Sequence, residues 1–438
     1  MRMEDMVLFS VDDHLIEPPG MFEGRIPKKF EHLEPKFHHG ENGDNDYWMV
    51  GGRRTVYMGS NAVVGRPREE YGFEPSALSQ LRPGCYDIHA RIGDMNVNGV
   101  AASINFGTLA GMAGEPFLSI PDKDFALTVV QAWNDWHIEE WAGTYPDRIV
   151  PLSNLPFWDP ELSAREVRRV KAKGCNVISF PPNPVLHGQP SFHTEHWDPV
   201  WKACVEENVA ICIHFADSSY AVPSPDSPVD AMISCMPIGL YRVAADLTWS
   251  PVLRKFPDIQ FALSEGGAGW IPYLKERMDT TFRLHSQWTR QNFGDKKPSE
   301  IFDRNVATCF IDDPIGIKIR HAVGIQNITW ECDYPHADCT WPESADRLWR
   351  DLQAAEVPDD EIDLITHRNA MRIFNFDLFK LRKREELTVG ALRDQARAAG
   401  VDTTPMKSGS GRPPSDSEQG PVSMRDVAKQ LGARNEAA

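Results

Sequence analysis

Residues 198–215, DPVWKACVEENVAICIHF, place a helical pattern directly before a buried strand. The helical part repeats the pattern of DPELSAREVRRVKAKG (159–174), where Asp159 is a candidate N-cap and Pro160 stands in the first turn. The run VAICIHF (209–215) that follows is apolar except for its histidine, as in a strand covered on both faces. Helices alternating with buried strands are typical of a parallel α/β fold.

The same alternation of helical segments and short apolar runs recurs along the chain up to about residue 380. Eight runs qualify as strands: MVLFSVDDH (6–14), VAASINF (100–106), RIVPLSNL (148–155), CNVISF (175–180), VAICIHF (209–215), IQFALSE (259–265), VATCFID (306–312) and NITWECD (327–333). Eight such units in one domain predict an α/β fold of the distorted TIM (β/α)8 barrel type rather than an open Rossmann sheet. No G-x-G-x-x-G motif follows a strand, and we therefore expect no nucleotide cofactor.

Segments that lack this alternation divide the chain. We predict a barrel domain over residues 1–385, with an insertion at 20–90 that follows the first strand and covers the barrel mouth. Within it, YWMVGGRRTVYMG (47–59) predicts a hairpin that turns at Gly51–Gly52. We expect a C-terminal helix at 386–402 and a disordered tail at 403–438, because residues 403–421 are rich in Pro, Gly and Ser. A short helix is predicted near 423–432 within this tail.

The composition limits the classes of function that fit this chain. With 41% hydrophobic residues and no run of about 18 apolar residues, it indicates a soluble, cytoplasmic protein that does not span a membrane. A formal net charge of -17 argues against nucleic acid or an anionic membrane surface as a partner, so we expect a small-molecule substrate. The eight cysteines form no C-x-x-C pair, and we expect buried, reduced thiols.

Residue types that bind metals stand where four of the predicted strands end. The first strand ends on Asp12 and His14, whose spacing of two puts both side chains on one face. The other strand ends and the loops after them supply His214, Glu265, Asp333 and His336. Alone, each has an ordinary explanation, such as a structural histidine or a helix cap. Together, at the carboxyl ends of barrel strands, they predict a divalent metal site.

A second group of residues is expected to contact the substrate or to support the ligands. The loop LHGQPSFHTEHWDPVW (186–201) carries three candidate substrate-binding histidines, and Arg91 is a candidate clamp for a substrate carboxylate. The histidines are His187, His193 and His196. Asp13, Glu17 and Asp338 stand near the predicted ligands in the sequence, and we expect them to orient ligand side chains.

The motifs around these residues resemble the amidohydrolase superfamily. They are DDHLIEPP (12–19), DPVWKACVEENVAICIHF (198–215), LSEGGAGWIP (263–272), DYPHADCTWP (333–342) and ITHRNAMRIFNFD (365–377). The resemblance covers most of residues 7–380 and is strongest to the amidohydrolase-2 branch, which includes aminocarboxymuconate semialdehyde decarboxylase and resorcylate decarboxylases. It implies a distorted TIM barrel with one or two divalent metals. It also implies that the metal ligands include Asp12, His14, His214 and Asp333.

One position departs from the family pattern. Many relatives carry a histidine at the end of strand six that polarises or protonates substrate, whereas this chain has Glu265 there. A glutamate beside a cation is ionised and suits metal binding better than acid catalysis. With Glu265 and His336 the set grows to three carboxylates and three imidazoles. Such a set favours two divalent metals, Fe or Mn with Zn as a further option, because a single metal must keep open positions.

Three hypotheses about function follow. The favoured one is O2-dependent hydroxylation by a monooxygenase with a dinuclear Fe/Mn site, acting on a small carboxylate-bearing substrate, as in a small oxygenase offshoot of the superfamily. The alternative is a metal-dependent hydrolase or non-oxidative decarboxylase that uses Zn or Mn and a metal-bound water. We expect Asp333, His336 and Glu265 to be the catalytic residues. The third hypothesis is a metal-stabilised, non-catalytic subunit. In each case we expect a homo-oligomer, or a hetero-oligomer with a related barrel subunit.

Overall fold

The computed structural model of the protein describes residues 1–40, 45–55, 58–73, 76–215, 224–406 and 421–427. Within these ranges the chain forms one parallel and one small antiparallel sheet. The strands are β1 (Leu8–Leu15), β2 (Lys36–His38), β3 (Tyr47–Val50), β4 (Arg53–Arg54), β5 (Val100–Gly107), β6 (Ile149–Val150), β7 (Leu152–Ser153), β8 (Val177–Ser179), β9 (Ala210–His214), β10 (Phe261–Ser264), β11 (Val306–Phe310) and β12 (Ile328–Trp330). Strands β2, β3 and β4 form the antiparallel sheet, and the others form the parallel one.

The parallel sheet closes on itself at Pro151. Strand β6 pairs with β5 through Val150 and Ile104, and β7 pairs with β8 through Leu152 and Val177. Pro151 separates β6 from β7 and offers no N–H to a ladder, so the extended segment changes partner there. The order is β6-β5-β1-β12-β11-β10-β9-β8-β7. Because β6 and β7 are two halves of one segment, the sheet is an eight-stranded parallel barrel, and the predicted TIM fold is confirmed.

Helices alternate with the barrel strands along the chain. They are α1 (Ile88–Asn98), α2 (Lys123–Trp136), α3 (Pro160–Ala172), α4 (Asp198–Glu207), α5 (Val229–Trp249), α6 (Val252–Lys255), α7 (Ile271–Thr289), α8 (Pro298–Asn305), α9 (Pro314–Lys318), α10 (Arg320–Val323), α11 (Ser344–Ala354), α12 (Asp359–Asp363), α13 (Asn369–Ile373) and α14 (Val389–Ala398). The predicted N-cap of α3 is confirmed, because the Asp159 carboxylate accepts hydrogen bonds from the backbone N–H groups of Glu161 and Leu162, both at 2.9 Å.

Two apolar clusters form the core. One contains Phe9, Ile104 and Cys212 from the barrel strands and Phe374 from the chain just after α13. The larger one includes residues of the helices, such as Trp133 of α2, packed against the barrel. The eight cysteines form no disulfide and seven are buried, as the sequence predicts for reduced thiols.

The segment at 20–90 contains the antiparallel sheet. The β3–β4 hairpin turns at Gly51 and Gly52, whose φ angles of +57° and +79° are both left-handed, as a two-residue type I′ turn requires. The predicted hairpin is confirmed. The buried Trp48 packs its ring edge-to-face against Phe22, with 5.4 Å between the ring centroids.

The C-terminal part of the chain returns to the barrel. Helix α14 lies within the predicted helix at 386–402 and packs against α1. Of the predicted tail at 403–438 only 403–406 and 421–427 are among the described residues, and 424–427 form a helical turn. The remainder of the predicted helix at 423–432 lies outside the described ranges. In the described part of the chain, no helix is long and apolar enough to cross a membrane.

Candidate metal centre

The six predicted ligands meet at the carboxyl ends of four barrel strands. Asp12 and His14 lie at the end of β1, His214 ends β9, Glu265 follows β10, and Asp333 and His336 follow β12. Their ligand atoms form two overlapping groups, each within 4.8 Å: Asp12, His14 and His214, and His14, Glu265, Asp333 and His336. We call these six residues the metal cluster. Parallel strands place their carboxyl ends at one end of the barrel, which is why residues so far apart in sequence converge.

His14 lies at the centre of the metal cluster. Its Nε2 lies 3.4 Å from Asp12 Oδ1 and 3.3 Å from Asp333 Oδ1. The Nε2 atoms of His14 and His214 lie 3.3 Å apart. His214 Nε2 also lies 3.4 Å from Asp12 Oδ2 and 3.1 Å from Glu265 Oε2. These donor atoms all point to one small volume at the barrel mouth.

The backbone after two strands aims carboxylates into this volume. Glu265 and Asp333 have φ angles of +61° and +57°, in the left-handed region that residues with a Cβ rarely adopt. Such conformations cost about 1–3 kcal/mol each and cluster at functional sites. Three residues after Asp333, the chain places His336 Nδ1 2.8 Å from Asp333 Oδ1. The His336 ring then lies over the His14 ring, with 3.9 Å between their centroids.

The buried carboxylates raise one another's pKa. Burial and the nearby charges of Glu331 and Asp333 raise the pKa of Asp12 well above its usual value. Burial, with Asp333 and Asp12 nearby, raises the pKa of Glu265 in the same way. Burial alone would also raise the pKa of Asp333, but the neighbouring rings of His336 and His14 lower it overall. Carboxylates crowded in this way need either protons or a cation.

The imidazoles and the unpartnered oxygens fit a divalent cation. Burial lowers the pKa of His214 to about 4 and that of His14 well below its usual value, so both rings are neutral and offer lone pairs. Both carboxylate oxygens of Asp12 and the Oδ2 atom of Asp333 are buried without a hydrogen-bond partner among the described residues. Oxygen and nitrogen donors in this mixture suit Mn, Fe or Zn. The residues present therefore fit a divalent metal.

Glu331 is a fourth carboxylate at the cluster that the sequence analysis missed. It is buried, its Oε2 accepts hydrogen bonds from the Glu265 backbone N–H at 3.1 Å and the Cys309 thiol at 2.6 Å, and its Oε1 has no partner among the described residues. Burial, with Asp333 nearby, raises its pKa to about 8. The signal was available, because Glu331 stands two residues before Asp333 and residues at that spacing share a face of an extended chain.

Asp13 and Glu17, two of the residues expected to orient ligands, differ in what they bind. Asp13 is buried and accepts a hydrogen bond of 3.0 Å from the backbone N–H of Tyr334, beside Asp333, as expected of an orienting group. Glu17 instead binds residues outside the metal cluster, because it accepts hydrogen bonds from the backbone N–H of Leu109, just after β5, at 2.8 Å and from Trp133 Nε1 of α2 at 2.9 Å.

The structure does not support Arg91 as a substrate clamp. Its side chain is fully buried, its Nε donates to the Gly84 carbonyl at 2.7 Å, and its Nη2 donates to the His14 carbonyl. The guanidinium lies 4.2 Å from the centroid of the Tyr334 ring. Arg91 therefore holds the backbone around the metal cluster and is screened from a substrate.

The three loop histidines lie away from the cavity beside the cluster. His193 Nε2 pairs with Asp246 at 2.7 Å on the surface. His187 and His196 lie edge-on to Phe157 and Trp197, with centroid distances of 6.0 and 4.7 Å. Among the described residues that line this cavity, none of the three histidines is found, so their predicted contact with substrate is not supported. The loop after β8 turns toward α4 and α5 instead.

A cavity of about 500 Å³ opens beside the metal cluster. Its wall includes Glu265 and Glu331, the glycines that follow Glu265, and Trp270 at the start of α7. Asp338 and Arg68 also line it, the latter from the segment at 20–90. The volume is in the range of small-molecule sites, so the cavity connects buried metal-binding groups with a space for substrate.

The sequence and the fold of this chain are similar to those of known proteins. A family model described as Amidohydrolase matches residues 112–376. Curated proteins compared by sequence gave no match. An amidohydrolase from Mycobacterium avium subsp. paratuberculosis has a similar structure, with a TM-score of 0.65 and 19% identity over 84% of this chain and 99% of that one.

Two further similar structures are decarboxylases. A 5-carboxyvanillate decarboxylase from Sphingomonas paucimobilis gives a TM-score of 0.52 and 20% identity over 71% of this chain and 89% of that one. A dihydroxybenzoic acid decarboxylase from a Polaromonas species was solved with manganese and the inhibitor 2-nitroresorcinol. It gives a TM-score of 0.54 and 18% identity over 84% of this chain and 97% of that one. At these identities the likeness shows a shared barrel fold.

Proposed function

This chain belongs to the amidohydrolase family, and we propose that it is a metal-dependent, non-oxidative decarboxylase of a small carboxylic acid. The reaction replaces a C–C bond by a C–H bond: R–COO⁻ + H⁺ gives R–H + CO2. Two similar structures are decarboxylases, and one of them was solved with manganese. These likenesses favour the decarboxylase over the monooxygenase that the sequence analysis preferred.

The observation that carries the proposal is the cavity that joins Arg68 to the carboxylates of the cluster. Arg68 Nη1 donates to the Ala337 carbonyl at 3.3 Å, and the charge of Arg68 acts on Asp338, which lines the same cavity. Its guanidinium also lies 4.8 Å from the centroid of the Tyr71 ring, and from the cavity wall it can pair with an acid group of the substrate. A substrate with a carboxylate and a second oxygen function, such as a phenol or another carboxylate, would span from Arg68 to the cluster.

Asp12, His14, His214 and Asp333 would hold the metal, since Asp12, His214 and Asp333 each place a donor atom within 3.4 Å of His14 Nε2. A divalent cation bound there supplies a Lewis acid for a substrate oxygen. His336 holds Asp333 in place through the contact at 2.8 Å. Burial of these groups excludes water from the reacting carboxylate and strengthens their electrostatic effect.

Glu265 is the residue that we assign to protonate the substrate carbon. It lies both in the metal cluster and on the cavity wall, so its carboxyl group reaches a bound substrate. Burial and the neighbouring carboxylates raise the pKa of Glu265, which favours the protonated form that a general acid requires. This role takes the place of the strand-six histidine of many relatives. It also differs from the sequence-based expectation that Glu265 is an ionised ligand.

A dinuclear site with O2 chemistry is the second candidate function, and Glu331 is the observation that favours it. With Glu331 the site has four carboxylates and three imidazoles, more donors than a single catalytic metal uses. Glu265, Glu331 and His336 would then hold the second metal, and Fe or Mn would be the metals of choice.

One experiment separates these functions. The purified protein, loaded with Mn, is incubated with a panel of hydroxybenzoic acids with and without O2, in H2O and in D2O. We expect CO2 release without O2, loss of that activity with a chelator, and one deuterium at the former carboxylate carbon in D2O. A hydroxylated product formed with consumption of O2, and no anaerobic CO2, would overturn the decarboxylase and support the second candidate.

A further inference from the structure

A second cavity, of about 240 Å³, lies between the β3–β4 hairpin and the chain that follows β5. Most of its wall is apolar and is formed by Trp48, Val50, Met58, Leu109, Phe117 and Ile120. Among the described residues, it shares no lining residue with the cavity beside the metal cluster. The two cavities are therefore separate spaces, and the proposed decarboxylation does not use this one.

The register of the hairpin puts a cation at the edge of this apolar wall. Val50 pairs directly with Arg53 across the antiparallel strands, and directly opposed residues have their side chains on the same face. Trp48, two residues before Val50, shares that face and is buried like Val50. Arg54 is paired with Met49, and its guanidinium lies 4.0 Å from the centroid of the Tyr47 ring. Both arginines line the cavity, and Arg53 is the more exposed of the two.

The uncharged polar side chains of the cavity wall leave one donor unused among the described residues. The Thr108 hydroxyl donates to the Leu15 carbonyl at 2.9 Å, and the Ser119 hydroxyl donates to the Pro116 carbonyl at 2.8 Å. Trp48 Nε1 has no hydrogen-bond partner among the described residues, although the Trp48 side chain is only 1% exposed. Buried donors without partners are rare, and they point to an acceptor that comes from outside the chain.

We propose that this cavity binds a small apolar carboxylate. The apolar body of the ligand fills the space under the hairpin, its carboxylate pairs with Arg53, and Trp48 Nε1–H donates to one of its oxygens. A volume of 240 Å³ holds about eight groups of about 30 Å³ each. A chain of seven or eight carbons, or a single aromatic ring with a short acid arm, has this size.

Octanoate is the probe that tests the proposal. Isothermal titration of the full-length protein is expected to give a Kd of about 0.1–1 mM, the range for a ligand of this size. Arg53→Gln and Trp48→Phe should each weaken octanoate binding about tenfold, because each removes a donor to the ligand and keeps most of the side-chain volume. Arg165→Gln is the matched control, and it should leave the Kd unchanged because Arg165 is an exposed arginine of α3 that does not line the cavity.

Two further variants test whether octanoate binds in this cavity. Ile120→Trp fills the space and should abolish binding, and a thermal melt confirms that it folds. Asp12→Asn changes the metal cluster and should leave octanoate binding intact, which shows that the acid is not bound at the metal. Absence of binding to the wild-type protein, equal binding of octanol, or full binding to Ile120→Trp would each overturn the proposal. None of these outcomes bears on the proposed decarboxylation.

Discussion

The carboxylate of Asp13 accepts a hydrogen bond of 3.0 Å from the backbone N–H of Tyr334, the residue that follows Asp333. It also accepts hydrogen bonds from the hydroxyls of Ser10, at 3.0 Å, and Ser103 on β5. One buried carboxylate thus ties β1, β5 and the loop that carries Asp333 to one another. Asp13 is outside the metal cluster, yet it fixes the position of a ligand in it.

Asp13→Asn is expected to weaken metal binding by about 10–100-fold, the usual effect of removing a group that orients a ligand. An amide has the same shape, but it turns one acceptor oxygen into a donor against hydroxyl and N–H donors. Competition with a fluorescent chelator measures the change in affinity. Glu17→Gln is the control, because Glu17 is an equally buried carboxylate that binds Leu109 and Trp133 instead. Equal loss of metal affinity in both variants would contradict the role given to Asp13.

Glu265→Gln separates acid catalysis from metal binding. If Glu265 protonates the substrate carbon, the variant should retain its metal and lose at least about 100-fold in the rate of CO2 release, because an amide donates no proton. If Glu265 holds a second metal, Glu265→Ala should lower the metal content from about two to about one per chain. Elemental analysis by mass spectrometry measures the metal content, and a metal loss with unchanged CO2 release would remove Glu265 from the chemistry.

The buried His137 should make the folded protein less stable as the pH is lowered. It is buried, and burial lowers its pKa from 6.5 to about 3, so below pH 6.5 the unfolded chain binds a proton that the folded chain rejects. The contribution of neutral His137 to the free energy of unfolding is fully present above pH 6.5. It falls by about 1.4 kcal/mol per pH unit between pH 6.5 and 3, which is about 2 kcal/mol between pH 7 and pH 5.

Urea unfolding at pH 7 and pH 5 checks this expectation. His137→Gln should lose about 2 kcal/mol less than the wild-type protein when the pH is lowered. His38→Gln, at a histidine outside the core, is the matched control. The pH difference is compared within each variant because His137→Gln also lowers stability at both pH values. Identical pH differences in wild type and His137→Gln would show that His137 binds a proton in the folded state.

The barrel and the six-residue metal cluster could be predicted because both depend on local patterns. Buried parallel strands are apolar along their length, and the barrel rule brings the residues at their carboxyl ends together. Asp12 and His14 could therefore be placed with His214, although some 200 residues separate them in the chain. Glu331 was missed because it stands inside the run NITWECD, where only the last residue was treated as a site residue.

The surroundings of Arg91 and of the loop histidines could not be predicted, for a different reason. The sequence shows that Arg91 is a cation in α1, but its partners are backbone carbonyls and the Tyr334 ring, which only the tertiary structure brings to it. The path of the loop at 186–201 depends on its packing against the helices. His193 consequently meets Asp246 of α5 rather than a substrate, and no periodic pattern encodes that contact.

Asp12→Asn is expected to stabilise the metal-free protein and to abolish its response to metal. Burial and the neighbouring carboxylates of Glu331 and Asp333 disfavour the ionised form of Asp12, so an uncharged amide in its place should raise the stability measured in chelator by about 1–3 kcal/mol. Wild-type protein should instead gain about 4 kcal/mol from Mn at 1,000 times its Kd. The variant should gain less than half of this, because Asp12 contributes both oxygens to the metal cluster. Thermal melts in chelator and in Mn measure both effects.

Asp226→Asn, at an exposed surface ion pair with Arg425, should leave both melting temperatures unchanged. A full Mn response in Asp12→Asn would show that the metal binds without Asp12.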